Sequence, residues 1–328
     1  MIKNRWLLVL TVCIVGVLSA CGNEESEGEA DATEISFALD QPAEHIWVDA
    51  VNEFAELAEE KSDGSLDISV HDSASLGDQD EALEGMQVGT TGGTVSVEPV
   101  SSYVEEVGIY GVPYLFEDEE HLETFLESEH GEELDELMID EGFRPLTYFM
   151  RDPRQMSSNQ EINSLEDMSG LNIRVPESPT APDAFEAMGA SVVTMPIDEV
   201  YSALEQNVID GQENPITQIH SDGFYEVQDH VTISNHQYQA GYLLISESIY
   251  QDLNEEEQVA LEEAAEEAQL YESELLQEEI EEAYNDLEEA GVEISEPDTD
   301  EFADAAAEAY DGYSEVIQEW IERVEDVQ

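Results

Sequence analysis

Only eight cations stand against 82 Asp and Glu residues in this chain, so each retained Lys or Arg is a candidate for chemistry. They are Lys3, Arg5, Lys61, Arg144, Arg151, Arg154, Arg174 and Arg323, and three of them fall between residues 151 and 174. A chain so poor in positive charge has a surface that does without it, which assigns the retained arginines to buried or chemical work. Arg suits the gripping of a carboxylate, because its planar fork donates two parallel hydrogen bonds and keeps its charge. Arg174, with Arg154 beside it, is therefore the candidate holder of an organic acid. From the residues alone, each is also open to a structural ion pair. Arg151 reads as a rim or structural residue.

Other chemistries find little support. The seven histidines (45, 71, 121, 130, 220, 230 and 236) show no H-E-x-x-H or similar ligand spacing, and His220, His230 and His236 read as structural or exposed. There is no G-x-S-x-G elbow, Walker loop or G-x-G-x-x-G. Asp72, Asp78 and Asp80 do not follow the calcium-loop pattern. Carboxylate pairs are inevitable among 82 acids, and solvated surface is their default reading. We therefore expect no catalytic residue, no metal and no cofactor. The competing reading, from another class, is a secreted acidic hydrolase working with cleft carboxylates. Nucleic acid is not a partner, since phosphate binding needs a basic face.

The elements that must position the arginines follow from length and patterning. The chain has 328 residues and a formal net charge of -74. That length fits two lobes of about 100–150 residues each, and that charge would destabilise a compact state in dilute buffer. In about 1 M salt the screening length falls to roughly 3 Å, so the sequence reads as adapted to high salt. Residues 1–20 read as a signal peptide: Lys3 and Arg5 precede a short apolar run, and Leu18-Ser19-Ala20-Cys21 resembles a bacterial lipoprotein cleavage box. Cys21 is then the lipidated residue, and residues 21–33 form an acidic tether. The only other cysteine is Cys13, so the mature fold has no disulfide framework.

Alternation at Ile35, Phe37 and Leu39 predicts a strand, and strands and helices then alternate as an α/β fold with mainly parallel sheets. A strand over 93–98 ends at Glu98, a candidate for a substrate hydroxyl. A strand over 171–175 is stopped by Pro176, which places Arg174 near its C-terminal end, where open α/β sheets bind ligands. Ile197, after Met195-Pro196, is a candidate apolar wall, and His45 and Trp47 are candidates for the cleft. Asn254 caps a long helix, about 254–290, with Val259, Leu261, Leu270, Leu275, Ile280 and Leu287 on its apolar side and Gly291 at its end. Its length suits a brace across two lobes. The expected partition is 34–151 with 240–279 for lobe I, and 152–239 with 280–328 for lobe II.

The segments SASLGDQDEALEGMQVGT, SLEDMSGLNIRVPES and AMGASVVTMPIDEVYSALEQNVIDGQENP resemble the substrate-binding proteins of tripartite ATP-independent periplasmic (TRAP) transporters. The resemblance spans roughly residues 34–320. It implies a two-lobed periplasmic-binding-protein-like receptor, lipid-anchored outside the cytoplasm and monomeric. Such a receptor closes on an organic acid, passes it to membrane permease subunits and performs no reaction. It further implies that Arg174, in the I-R-V-P motif, makes the bidentate carboxylate contact. Arg154, 20 residues earlier, and Asn214, in the Q-E-N-P turn, join it, while Gln212 and Glu213 read as scaffold. The chain departs from the usual pattern at Asp152-Pro153-Arg154 and at Gly92-Gly93. Presentation of the ligand to a sensor protein is the alternative to transport.

Overall fold

The computed structural model describes residues 32–327; the leader, Cys21 and the tether up to Asp31 lie outside the described residues. Alternating Ile35 and Phe37 bury one face of β1 (Thr33–Ala38), which pairs in parallel with β2 (Leu66–His71) and β3 (Gly92–Val95). Both glycines of β3 are required by close packing: a Cβ on Gly93 would lie 2.2 Å from the Ala38 carbonyl oxygen. Two antiparallel neighbours, β4 (Phe143–Arg151) and β10 (Gln239–Ser246), complete the first sheet in the order β2-β1-β3-β10-β4.

The second sheet contains β5 (Arg154–Ser158), β6 (Asn172–Val175), β7 (Ser191–Thr194), β8 (Gly211–Pro215), β9 (His230–Thr232) and β11 (Glu293–Ser295). Its order is β11-β9-β5-β8-β6-β7, with β5 antiparallel to both of its neighbours. Each sheet is therefore mixed rather than mainly parallel, because a strand that returns from the other lobe enters against the local direction. The result is a two-lobed α/β fold. Two strand connections cross between the lobes side by side: Asp152-Pro153 between β4 and β5, and residues 233–238 between β9 and β10. They are held together by the pairing of Gln239 opposite Arg151 and by the Arg154 N–H, which donates to the Gln237 carbonyl at 3.0 Å.

The long helix runs Glu255–Ala290 and has the cap read from the sequence: Asn254 accepts from the Glu257 amide while the Glu257 side chain accepts from the Asn254 amide. It stops at Gly291, whose φ of 87° needs a residue without a Cβ. Its inward side differs from expectation. Ala260, Leu261, Ala264, Ala265 and Ala268 pack on the first lobe, then Leu276, then Ala283 and Leu287 on the second. Val259 and Leu270 face outward. Small side chains let the helix lie close against the first helix (Ile46–Lys61), so there the buried stripe is mainly alanine, with Leu261 among it as expected.

Two further expectations change. The predicted strand over 93–98 ends at Val95, and Val97–Ser101 is a short helix with Glu98 in its first turn. Pro99 is tolerated there because a helix's opening amides have no internal partner. The last helix, Glu315–Glu325, buries Ile317, Trp320, Ile321 and Val324 in the first lobe's core, away from the lobe to which residues 280–328 were given. No described helix is long and apolar enough to cross a membrane.

Candidate functional site

A cleft of about 730 Å³ lies beside the crossing strands. Asp40, Gln41, His45, Trp47 and Arg151 line it from the first lobe, and Ile197, Gln218 and Asp222 from the second. Trp47 reaches it because β10 offers Gly241 beneath the indole, where a Cβ would stand 2.2 Å from the ring. His45 caps the first helix by accepting the Trp47 N–H at 3.1 Å. Burial first, and the nearby Arg151 charge second, lower its pKa to about 4, so His45 is neutral at pH 7. Ile197 opens the helix Ile197–Glu205 and is 38% exposed, consistent with an apolar wall.

Arg174 stands in β6, followed by Val175 and the Pro176 that ends the strand. It is 4% exposed, and its Nε and Nη2 both donate to the Met195 carbonyl at 3.0 and 2.8 Å. Among the described residues it forms no salt bridge. Burial lowers its pKa, opposed by the Glu213 charge and reinforced by that of Arg154, with Asp222 opposing more weakly. The arrangement is a guanidinium locked in orientation by a neutral acceptor, with carboxylates in Coulombic reach but none in a salt bridge.

Arg154 has a different environment. Opening β5, it grips Glu213 with Nε at 2.5 Å and Nη2 at 2.9 Å, and Nη2 also reaches Asn214 Oδ1 at 2.8 Å. Glu213 in turn meets His236 Nε2 at 3.0 Å, whose Nδ1 is 2.8 Å from the Ser234 hydroxyl. All four partners are buried. Burial pushes the Glu213 carboxyl up, but Arg154 and His236 outweigh it and hold the pKa down at about 2. Burial also keeps His236 below its usual value, against the pull of Glu213. Asn214 is 2% exposed, with its Nδ2 donating to Gln212 Oε1 at 2.5 Å. Glu98 accepts from Gln239 Nε2 at 3.1 Å.

The predicted residues thus divide. Arg154 and Asn214 form one buried network, Arg174 stands next to it within Coulombic reach, and Ile197 lines the open cleft. Glu98 joins the strand-crossing side through Gln239 instead. Sequence reasoning missed Glu213 and His236 as the partners of Arg154, while Arg151, read as a rim or structural residue, lines the cleft. A need for one acid near Arg154 was foreseeable, but 82 acids gave no means of choosing it. Among the described residues no cluster of His, Cys, Asp or Glu could hold a metal ion.

Two α/β lobes joined by crossing strands, with a cleft beside the crossing, have the form of a two-lobed solute receptor. The chain belongs to the bacterial extracellular solute-binding protein family 7, which it matches over residues 37–316, the periplasmic solute-binding proteins of TRAP transporters. A Roseobacter denitrificans solute-binding protein is 33% identical over 305 residues, covering 92% of this chain and 91% of the relative. A crystal structure of a Roseobacter denitrificans TRAP solute-binding protein with bound L-galactonate superposes with a TM-score of 0.77 at 32% identity, covering 89% of this chain and 98% of that one. An Ochrobactrum anthropi TRAP solute-binding protein, whose C-terminus is bound in its ligand pocket, gives 0.85 at 31% identity over 89% of this chain and 93% of that one. The 2,3-diketo-L-gulonate-binding periplasmic protein of Escherichia coli is 30% identical, with 80% of each chain covered.

Proposed function

We propose that this receptor holds a hydroxylated carboxylic acid through Arg174 and delivers it unchanged to TRAP permease subunits. The observation that carries this reading is Arg174 itself: buried, fixed by the Met195 carbonyl and unpaired among the described residues, in a chain with 82 acids. A buried cation without a salt-bridge partner is costly, and a carboxylate entering beside it would reduce that cost. Arg154 and Asn214 act from behind, with Glu213 and His236 fixing the Arg154 fork. Relatives that bind L-galactonate or 2,3-diketo-L-gulonate favour a sugar acid. Asp40, Gln41 and Gln79 at the cleft, with Glu98 near the crossing strands, supply acceptors and amides of the kind that read hydroxyls.

On this reading the protein is a lipid-anchored monomer, held outside the cytoplasm through Cys21 and adapted to high salt. It needs no cofactor, binds no nucleic acid and catalyses no reaction. The lobes partition at Arg151/Asp152 and near residue 240, the long helix braces both, and the final helix returns to lobe I. The test is thermal unfolding of the mature protein in molar salt against a panel of sugar acids. Ligand at 100 times its Kd adds about 2.7 kcal/mol to stability, which raises the midpoint by several degrees. Arg174→Ala weakens binding by about 2–5 kcal/mol, and Arg174→Lys restores only part, because the fork is gone. Wild-type affinity in Arg174→Ala sinks the assignment.

A further inference from the structure

Behind the cleft wall lies a carboxyl group with nothing to pair with. Glu272, midway along the helix Glu255–Ala290, is fully buried, and neither of its oxygens has a hydrogen-bond partner among the described residues. The Trp47 side chain, from the first helix, and the Met150 backbone, from β4, both act on it, and both residues line the cleft. Leu276 and Glu279, four and seven residues further on, continue the same helix face and line the cleft as well. On its other side the Trp47 indole lies against Gly241 of β10. Glu272 is thus wedged between the long helix and the residues that form the cleft wall.

No positive charge answers this carboxyl. Glu279 on its own helix and Glu119, which opens the helix Glu119–Leu126, are both acids and disfavour its ionisation further. His45, edge-on to Trp47 at 5.5 Å, is neutral at pH 7. On β4, burial keeps Tyr148 neutral, and Arg151 answers to Glu98, Asp152 and Glu213 instead. Burial is the main cause that moves Glu272 up to about 8, so it carries its proton at pH 7. Once ionised, it would be a buried charge without donors at bonding geometry, which is costly. Relief comes in two ways: the Trp47 N–H and the Met150 backbone move in to donate, or water enters between helix and wall. Either one shifts Trp47 and Met150 from the positions in which they line the cleft.

We propose that Glu272 is a pH switch on ligand binding: with its proton it holds the cleft wall in place, and losing that proton in an alkaline medium moves Trp47 and releases the ligand. The inference rests on the cleft as the ligand site. The ligand's carboxylate, His45 and the arginines keep their charge states between pH 7 and pH 9. Affinity is then full while Glu272 is protonated and falls as pH rises through about 8. Between pH 7 and pH 9 the loss reaches about tenfold if the complex retains the proton. By reciprocity, binding at pH 9 takes up a proton from the solvent.

The test uses the mature protein in molar salt at pH 7 and pH 9, with far-ultraviolet circular dichroism verifying the fold at both. In the unliganded wild type, tryptophan emission should shift between the two pH values, and in Glu272→Gln it should not. Calorimetric titration with L-galactonate and D-glucuronate should show binding at least threefold weaker at pH 9 in the wild type and unchanged in Glu272→Gln. Repeating the wild-type titration at pH 9 in buffers of different ionisation enthalpy measures the proton taken up, a readout that needs no variant. Emission that does not titrate, affinity equal at the two pH values, or the same loss in Glu272→Gln overturns the inference and leaves the Arg174 reading standing. Failure of both sugar acids to bind at pH 7 overturns both.

Discussion

Replacing Glu213 by Gln tests whether the buried network at the crossing strands is electrostatic. Glu213 titrates near 2 in the fold against an ordinary value of 4.5, a difference of 4.5 − 2 = 2.5 units. At about 1.36 kcal/mol per unit this is roughly 3 kcal/mol of stability at pH 7. Independent reasoning from a buried pair stripped of one partner gives about 3–5 kcal/mol. The sign follows from a depressed folded pKa. The contribution is complete above 4.5 and disappears as pH falls through about 2, so less than half should remain at pH 3. Urea unfolding of wild type and Glu213→Gln in molar salt, at pH 7 and pH 3, measures both gaps. A gap under about 1 kcal/mol at pH 7, or one that does not shrink on acidification, refutes the electrostatic account.

Glu272→Gln should do the opposite. Both Glu272 carboxyl oxygens are buried without a partner at hydrogen-bond geometry among the described residues, and burial pushes the pKa up to about 8, offset only in part by the Trp47 side chain and the Met150 backbone. This raised group loses stability as pH climbs from 4.5 to about 8, so the Gln variant should unfold later than wild type at pH 8.5 and match it near pH 4.5. The advantage is at most about 5 kcal/mol. Gly241→Ala places a Cβ 2.2 Å from the Trp47 ring, so it should destabilise by about 1–3 kcal/mol and shift tryptophan emission. An unchanged spectrum and midpoint would mean that Trp47 is not pinned against β10.

What was legible in the sequence was what local chemistry determines. Asn254, Glu257 and Gly291 bounded the long helix correctly, because caps depend on residues adjacent in the chain. Pro176 stopped β6 where expected, which placed Arg174 near the strand's end. Long-range choices were not legible. The stripe on the long helix was read only in part: Leu261 and Leu287 are buried, but Val259 and Leu270 face outward because the close contact with the first helix selects alanine. Glu98 was put on a strand because Thr94-Val95 alternates well, while the turn into a helix at Ser96 depends on the Gln79 side chain, which accepts the Ser96 amide at 2.7 Å. Scarcity drew attention to Arg151, Arg154 and Arg174, but scarcity cannot say which of them is neutralised.

The three environments settle that division in physical terms. Arg154, with Glu213 bidentate and His236 behind it, is close to electrically satisfied and serves as structure at the point where the chain crosses between lobes. Arg174 is fixed by one carbonyl, with Glu213 and Asp222 in Coulombic reach but no salt bridge among the described residues. Arg151 has a marginal bond to the opposite lobe, with Glu98, Asp152 and Glu213 in Coulombic reach. Arg151 shares the cleft with Asp40, Glu44, Asp152, Asp222 and Glu279, so an anion that reaches it meets an acidic rim. Screening by molar salt flattens the repulsive far field to a few ångströms while leaving contact-range attraction largely intact. On the proposed reading, high salt would therefore ease the approach of a carboxylate to Arg174 without weakening their contact.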